Sequence, residues 1–263
     1  MRIIKEWINN RKLIMELAKN DFFMRYAGSY FGTLWAFVQP VVTVLLYVFV
    51  FQIAFHANPS GDYPYVLWLI AGLIPWMFFS ESITLSTSCF LEYSYLVKKV
   101  VFPVSILPII KVISSTFVHI FFVLFSFGIY CLMGKVPGIH FVQFIYYFVC
   151  LLLLVIGCAF ITSTIVPFFR DFLSIVNIAM SVGVWFTPIL WNLNDVNNQI
   201  VNYIMYFNPV YYIVNGYRES FMNGFWFWQH PGLTAIFWAE LIIIYAVGIS
   251  SFYKMKSHFA DVL

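Results

Sequence analysis

The residues that could do chemistry in this 263-residue chain do not stand in a catalytic spacing. A phosphate-binding loop ends in Gly-Lys-Ser/Thr, yet the one Gly-Lys pair, Gly134-Lys135, has Ile129 in place of the first glycine and Val136 after it. The sequence contains no HExxH, no GxSxG and no CxxC. We therefore expect no ATP site and no metal site. A membrane enzyme assembled across helices remains an open alternative.

Two carboxylates, Glu81 and Glu240, interrupt long apolar stretches. An isolated charge in the hydrocarbon core of a membrane costs about 2.5–3.5 kcal/mol or more, so each carboxylate needs a partner or a proton. A proton-coupled carrier would use such groups for transport. A polar contact between two helices explains them equally well at this stage.

An aromatic stripe is formed by Tyr47, Phe51 and Phe55, which recur every fourth residue and therefore share one helix face. Aromatic rings offer sugar rings a weakly polar surface on which they can slide. The alternative is a stripe that faces lipid or the protein core. Phenylalanines over 117–125 show the same spacing.

The elements that must position these residues are transmembrane helices. The chain is 62% hydrophobic and 10% charged, whereas average soluble proteins are roughly 45–50% apolar and 25% charged. Its stretches without Asp, Glu, Lys or Arg exceed the roughly 20 residues that a helix needs to cross a membrane. We predict an all-α polytopic membrane protein. Its six spans are placed at about 34–56, 64–87, 108–133, 141–166, 172–192 and 232–253.

The basic residues predict the orientation. With the N-terminus inside, twelve Lys and Arg, Lys111 among them, fall in cytoplasmic segments, and only Lys135 and Arg218 fall outside. This positive-inside bias places both termini, including the tail over 254–263, in the cytoplasm.

Three further segments do not span. The N-terminal segment 1–33 is predicted to hold an amphipathic helix that lies along the cytoplasmic interface, with a loose basic anchor as the alternative. Residues 88–107 form the longest cytoplasmic loop. Residues 193–231 are too polar to cross lipid and too apolar for a free loop, so we expect two short re-entrant helices there.

The external segment is expected to act as a gate that pivots at Asn208-Pro209. Proline disfavours helix at the residue before it, and Asn208 can cap the helix that begins at Pro209. Tyr211, Asn215 and Arg218 should share a face toward a partner subunit or an emerging sugar. The face expected toward the membrane holds Tyr212, Gly216 and Phe221.

Five groups of short motifs follow one another along the chain. They are Asp21-Phe-Phe-Met-Arg25-Tyr26 with Ser29-Tyr-Phe-Gly32-Thr-Leu-Trp35 and Pro40; Leu96-Val-Lys98-Lys99-Val-Val-Phe102-Pro103 with Ile106-Leu107-Pro108; Arg170-Asp171; Thr187-Pro188-Ile189; and Asn208-Pro209 with Tyr217-Arg218. In order and spacing they resemble the ABC-2 permease family, in particular its exporters of O-antigen and teichoic-acid polysaccharides. The resemblance covers nearly the whole chain. One departure is Asn20, where the family often has Arg.

The resemblance implies a permease subunit of the bacterial inner membrane that pairs with a second copy of itself. Two separate ATP-binding-cassette subunits would bind ATP and magnesium, so this chain would hold no cofactor. The implied cargo is a lipid-linked polysaccharide; the other partners are membrane lipids and not nucleic acid. Spans one and five line the channel in that family, which favours the stripe at 47–55 as the path. The motif residues at the cytoplasmic entrance are then Asp21, Arg25, Tyr26, Gly32, Trp35, Arg170 and Asp171.

The cytoplasmic loop is the expected site of ATPase coupling, because it is tied to spans at both ends and can receive rigid-body motion. Its aromatic and leucine side chains would fill a groove and its lysines would contact the rim. The alternative is a loop whose lysines face lipid headgroups. The candidate coupling residues are Phe90, Tyr93, Tyr95, Leu96, Lys98, Lys99, Phe102 and Pro103.

Two other functions remain open. A small-molecule or drug exporter of the same family would have a closed apolar pocket. A proton-driven carrier would work without an ATPase and would depend on Glu81 and Glu240.

Overall fold

The structure, a computed structural model, describes residues 2–56, 63–99 and 102–263. Positions 100–101 of the expected coupling loop lie outside these ranges. The described residues form α-helices, short 3-10 turns and one π-helix, and contain no β-strand. The α-helices are α1 Arg2–Asn9, α2 Arg11–Arg25, α3 Trp35–Tyr47, α4 Tyr65–Glu92, α5 Ser94–Val97, α6 Leu107–Leu132, α7 Phe144–Ile165, α8 Phe172–Phe186, α9 Gln199–Tyr206, α10 Pro209–Phe221, α11 Pro231–Met255 and α12 Phe259–Val262.

Five helical stretches of the described chain are long and apolar enough to cross a membrane. They correspond to predicted spans one, two, three, four and six, which confirms the all-helical membrane fold. The five stretches are Gly32–Ala54, Tyr65–Glu92, Val104–Leu132, Ile139–Ile165 and Pro231–His258.

Span five is shorter than predicted. Helix α8 has 15 residues, or about 22 Å of rise, which is less than the ~30 Å hydrocarbon core. The helix ends at Phe186 because Pro188 disfavours helical backbone at Thr187, which is extended instead (φ −73°, ψ 138°). The prediction of a helix over 172–192 is therefore wrong for its last six residues, and the count of six spans stays a prediction.

Helix α4 lies at the centre of the fold and packs against α6, α7, α8 and α10. Leu67, Leu69 and Leu73 on it are fully buried. Span one is the opposite case, since Leu45 and Phe49 are exposed on this apolar helix. A helix that is apolar all round needs a core, lipid or another chain around it. The sequence pattern alone does not separate these surroundings.

The N-terminal segment packs against the protein and forms two helices where one was expected; its location at the membrane interface stays a prediction. It forms α1 and α2, separated at Asn10, whose side chain donates a hydrogen bond to the Glu6 carbonyl (2.8 Å). Ile14, Ala18 and Phe22 of α2 are buried, and α2 packs along α6. The segment therefore places its motif residues beside spans two and three.

Candidate functional site

A cluster of charged side chains joins the N-terminal helix to spans two and three near the loop that connects these spans. The Arg25 guanidinium contacts the Glu81 carboxylate at 2.6 Å and the Asp21 carboxylate at 3.2 Å, and it donates to Ser114 Oγ (2.9 Å). Glu81 thus has the partner that a carboxylate inside a span requires. For Glu240, by contrast, Oε2 is buried without a hydrogen-bond partner among the described residues.

Lys111 is the second cation of the cluster. It lies in α6, its side chain is only 4% exposed, and its Nζ contacts the Asp21 carboxylate at 2.7 Å and also Glu92. The Tyr93 hydroxyl donates to the same oxygen, Asp21 Oδ1, at 2.7 Å. Lys111 therefore pairs with carboxylates inside the protein and does not belong to a cytoplasmic loop. Of the twelve Lys and Arg that were counted in cytoplasmic segments, eleven remain.

Asp21 stays ionised in this setting. Burial raises the pKa of Asp21, but the hydrogen bond and charge of Lys111 and hydrogen bonds from Tyr93 and Ser114 outweigh it, so the pKa lies below its ordinary value. The charge cluster, defined as Asp21, Arg25, Glu81, Glu92 and Lys111, holds three carboxylates and two cations. Its formal charge is one negative.

A cavity of about 480 Å³ opens next to the cluster, between α2, span one, α4 and α8. Arg25 and Glu81 are its charged residues among the described lining. The other walls supply aromatic rings together with hydroxyl and amide groups, which is the chemistry that sugar rings bind. These walls include Tyr26, Trp35, Gln39, Thr43, Tyr47 and Trp76.

The aromatic stripe continues from this cavity. Ring centroids of Tyr47 and Phe51 lie 6.3 Å apart and those of Phe51 and Phe55 6.0 Å apart, so the three share a face as predicted. Tyr47 and Phe51 each lie 6.4 Å from Trp185 on α8, so the face turns toward span five. The stripe crosses from α3 into a π-helix over Val48–Ala54. Phe55 at its end is 71% exposed.

The remaining motif residues at the cytoplasmic end separate into two places. Gly32 lies in the connection between α2 and α3 with φ +51°, where a Cβ would meet nothing within 4 Å, so backbone conformation and not space favours glycine. Arg170 and Asp171 are exposed and directly precede α8. The structure gives them no ion pair with each other, and Asp171 at the start of α8 makes no side-chain cap.

The expected coupling residues divide into an inner and an outer set. Phe90 is fully buried against Phe252 and Phe259 (centroids 6.3 and 4.8 Å), and Tyr93 points to Asp21. The expectation that Phe90 fills a partner's groove is wrong, because its ring is fully buried in the protein core, whereas Tyr93 is half-buried. Leu96, Phe102 and Pro103 are half-buried. Tyr95, Lys98 and Lys99 are exposed.

We call residues 94–99 the coupling segment. It consists of helix α5 and the two lysines after it. The buried Val97 packs in the cluster that contains Phe90, so the segment contacts the protein core while its Tyr95 and lysines stay exposed.

The external segment contains α9 and α10, which meet at Phe207 and Asn208 as the Asn-Pro pair predicts. The Asn208 side chain accepts from the Val210 N–H (3.0 Å), and Pro209 is the first residue of α10. Asn208 Nδ2 also donates to Thr187 Oγ1 (3.1 Å). The break between the helices is therefore tied to the end of span five.

Arg218 lies inside the protein, which corrects the expectation that it faces a partner or a sugar. Its Nη1 and Nη2 donate to the carbonyls of Pro188 and Ile189 (both 2.7 Å), which follow the early end of α8 and have no helical partner. Its Nε donates to the Trp68 carbonyl at 3.4 Å, and the guanidinium carbon lies 3.5 Å from the Trp68 ring centroid. Gly72 leaves room for this group, since a Cβ there would lie 2.6 Å from Nη2.

The outward face of α10 holds Tyr211 and Asn215, both half-buried, and Asn215 donates to Glu219 Oε1 (2.8 Å). The face expected toward the membrane is packed against protein instead. Tyr212 and Phe221 are buried, and a Cβ at Gly216 would lie 2.1 Å from the Tyr147 ring. Helix α10 thus lies against α7 and α4 and leaves a narrow exposed strip.

Glu219 makes the external segment sensitive to pH. Burial raises the pKa of Glu219 to about 7, against the lowering effect of Asn215. The unfolded chain releases this proton near pH 4.5 and the folded chain near pH 7, so stability falls as pH rises through that window. We expect Glu219→Gln to stabilise the protein by up to about 3 kcal/mol at pH 8 and to have little effect at pH 5.

Thermal unfolding in detergent at the two pH values measures this effect. The exposed Glu16 on α2 provides the matched control, because Glu16→Gln should alter the melting temperature at neither pH. An equal shift for Glu219→Gln at pH 5 and pH 8 would contradict the assignment.

Sequence reasoning missed the partners of the charge cluster. Asp21 and Arg25 have the four-residue spacing of a helical ion pair, and this signal was available. Lys111, in contrast, lies 90 residues from Asp21, and no local pattern predicts that contact.

Comparisons with known proteins show the family to which this chain belongs. A model of the ABC-2 type transporter family matches residues 12–222. Two O-antigen export system permease proteins, RfbA of Klebsiella pneumoniae, are each 30% identical over 260 residues, covering 95% of this chain and 95% of the relative. RfbA of Myxococcus xanthus is 26% identical over 222 residues, 84% of both chains. With its several apolar spans, the chain is a multi-pass protein of the inner membrane and belongs to the ABC-2 type transporter family.

Proposed function

We propose that this chain is the permease subunit of an exporter that moves a lipid-linked polysaccharide across the bacterial inner membrane. Two copies form the transport path and two ATP-binding-cassette subunits supply the ATP hydrolysis. The observation that carries the proposal is the cavity beside Arg25 and Glu81, whose aromatic, hydroxyl and amide walls lead to the stripe at 47–55. The relatives are O-antigen export permeases, which supports the same cargo class.

The path we propose begins at the cytoplasmic cavity and follows the stripe between spans one and five. Its rings are spaced about 6 Å apart, which suits a chain of sugar rings that must slide without a deep binding well. The external segment, tied to the end of span five through Asn208 and Arg218, is the gate at the far end. Motion of ATP-binding subunits reaches the path through the coupling segment.

Export of small hydrophobic molecules is the rival within the family, and proton coupling is the rival outside it. The cavity is open and its walls carry many hydrogen-bonding groups, which suits glycans better than drugs. Glu81 is paired with Arg25, so it supports the cluster and is not a free proton carrier.

ATPase stimulation separates these functions. The protein is purified together with its ATP-binding-cassette subunit and is placed in lipid vesicles. We expect lipid-linked polysaccharide extracted from the producing bacterium to stimulate ATP hydrolysis several-fold, and hydrophobic dyes to have no such effect. Stimulation by the dyes alone would favour the drug exporter. Transport by the chain without any ATP-binding subunit would favour the proton-driven carrier.

A further inference from the structure

We propose that Tyr93, Glu92 and Lys111 are positioning residues that set the place of Arg25 in the cavity according to where the coupling segment lies. The inference rests on the proposed function, because it takes the coupling segment as the part that an ATP-binding subunit moves. It adds the physical route by which that motion reaches the transport path.

The route begins at the base of the coupling segment. Tyr93 is the residue between α4 and α5, so any tilt of α5 moves its ring. Its hydroxyl donates to Asp21 Oδ1 at 2.7 Å. Glu92, one residue earlier, accepts from Lys111 Nζ. Two consecutive residues at one end of the moving segment therefore hold the two buried members of the charge cluster.

The middle of the route is the pair of Asp21 and Lys111, whose side chains are 5% and 4% exposed. Asp21 uses both carboxylate oxygens: Oδ1 accepts from Lys111 and Tyr93, and Oδ2 accepts from Arg25. Water has little access to replace a lost contact at this site. A displacement of Tyr93 must therefore carry Asp21 with it or leave a buried charge with fewer partners.

The far end of the route is in the cavity. The Arg25 guanidinium is shared between Asp21 on its own helix and Glu81 on α4, and Glu81 is 31% exposed. Three carboxylates compete for two cations, so a weaker contact with Asp21 shifts Arg25 toward Glu81. The position of Arg25, the cation that a cargo contacts in the cavity, thereby depends on the position of the coupling segment. Coupling is reciprocal, so a ligand that engages Arg25 must also bias the coupling segment.

The first experiment uses the complex with its ATP-binding subunits in lipid vesicles. Tyr93→Phe keeps the ring and removes the hydroxyl. We expect basal ATP hydrolysis to stay within twofold of the unsubstituted protein, while polysaccharide exported per ATP hydrolysed falls at least fivefold. Tyr253→Phe at the end of α11 is the matched control, because Tyr253 is exposed and its hydroxyl makes no hydrogen bond within the described residues. The amount of polysaccharide exported per ATP hydrolysed should not change in this variant. A parallel series compares Lys111→Arg, which should retain coupling, with Lys111→Met, which should lose it.

A purely structural role predicts a different result: export and ATP hydrolysis would fall in proportion to the amount of folded complex, and the ratio would not move. That outcome, or an unchanged ratio in Tyr93→Phe, overturns the inference.

A second readout needs neither cargo nor ATPase. A cysteine replaces Thr43 on the cavity wall, and its labelling by a water-soluble thiol reagent is measured against the protein without that cysteine. Tyr93→Phe should change the labelling rate at least threefold, and Tyr253→Phe should not. An unchanged rate overturns the link between coupling segment and cavity. If the labelling changes but no polysaccharide is exported, the proposed function fails and the link stands.

Discussion

Replacing Arg218 by Met is expected to lower the melting temperature of the detergent-purified protein by roughly 6–12 °C. Met fills similar space but leaves the carbonyls of Pro188 and Ile189 without their donor. Each buried carbonyl that loses its donor costs about 1–3 kcal/mol. Part of this cost is offset, because the variant no longer buries a cation. We expect a net loss of about 3 kcal/mol, which corresponds to that shift in a protein of this size.

The matched control for this prediction is Arg170→Met. Arg170 is an exposed arginine at the start of span five, and its replacement should change stability by less than about 0.5 kcal/mol. Equal melting temperatures for the two variants would show that the Arg218 contacts do not hold the external segment to span five. The melting temperature of Arg218→Lys should lie between those of the unsubstituted protein and Arg218→Met, because an ammonium keeps hydrogen-bond donors but loses the planar stacking on Trp68.

Charge reversal at Lys98 and Lys99 combined with Tyr95→Ala is expected to reduce export at least tenfold. Tyr95 is 59% exposed and the two lysines are exposed, so the change alters the surface of the coupling segment and leaves its buried base at Val97 in place. Removing an aromatic contact and inverting the rim charge should weaken docking of the ATP-binding subunit. Copurification of the two subunits and ATP hydrolysis by the complex measure the effect.

Lys254 and Lys256, exposed at the C-terminal end of span six, provide the control for charge alone. Reversal of both should leave assembly and export within twofold of the unsubstituted protein. If the coupling-segment variant assembles normally and its ATP hydrolysis stays coupled to export, the segment is not the docking site.

The sequence predicted those parts of the fold that local chemistry controls. The break at Asn208-Pro209 and the cap on α10 follow from two adjacent residues, and the structure has both. Pro188 likewise ends span five at Phe186. The prediction placed this end six residues later, because the apolar stretch continues past the proline. Span positions follow from the length of uncharged stretches, so five helices of spanning length were predictable.

Burial and long-range pairing were not predictable in the same way. Spans that are apolar on every side carry no periodic signal, so nothing in the sequence placed Phe90 in the core or turned Arg218 inward. The contact between Asp21 and Lys111 depends on how α2 lies along α6, which is a property of the tertiary structure. The motifs therefore located the candidate site in the sequence, but the contacts among its residues were seen only in the structure.

Movement of polysaccharide across a membrane is the most direct test of the central claim. The complex is reconstituted in vesicles with its ATP-binding subunits outside, lipid-linked polysaccharide is added to the outer surface, and glycosidase is added outside after incubation with ATP. The account predicts that ATP makes the polysaccharide resistant to the enzyme and that Tyr93→Phe reduces this protection per ATP hydrolysed. Polysaccharide that stays fully digestible in the presence of ATP, while a hydrophobic dye accumulates in the same vesicles, would contradict it.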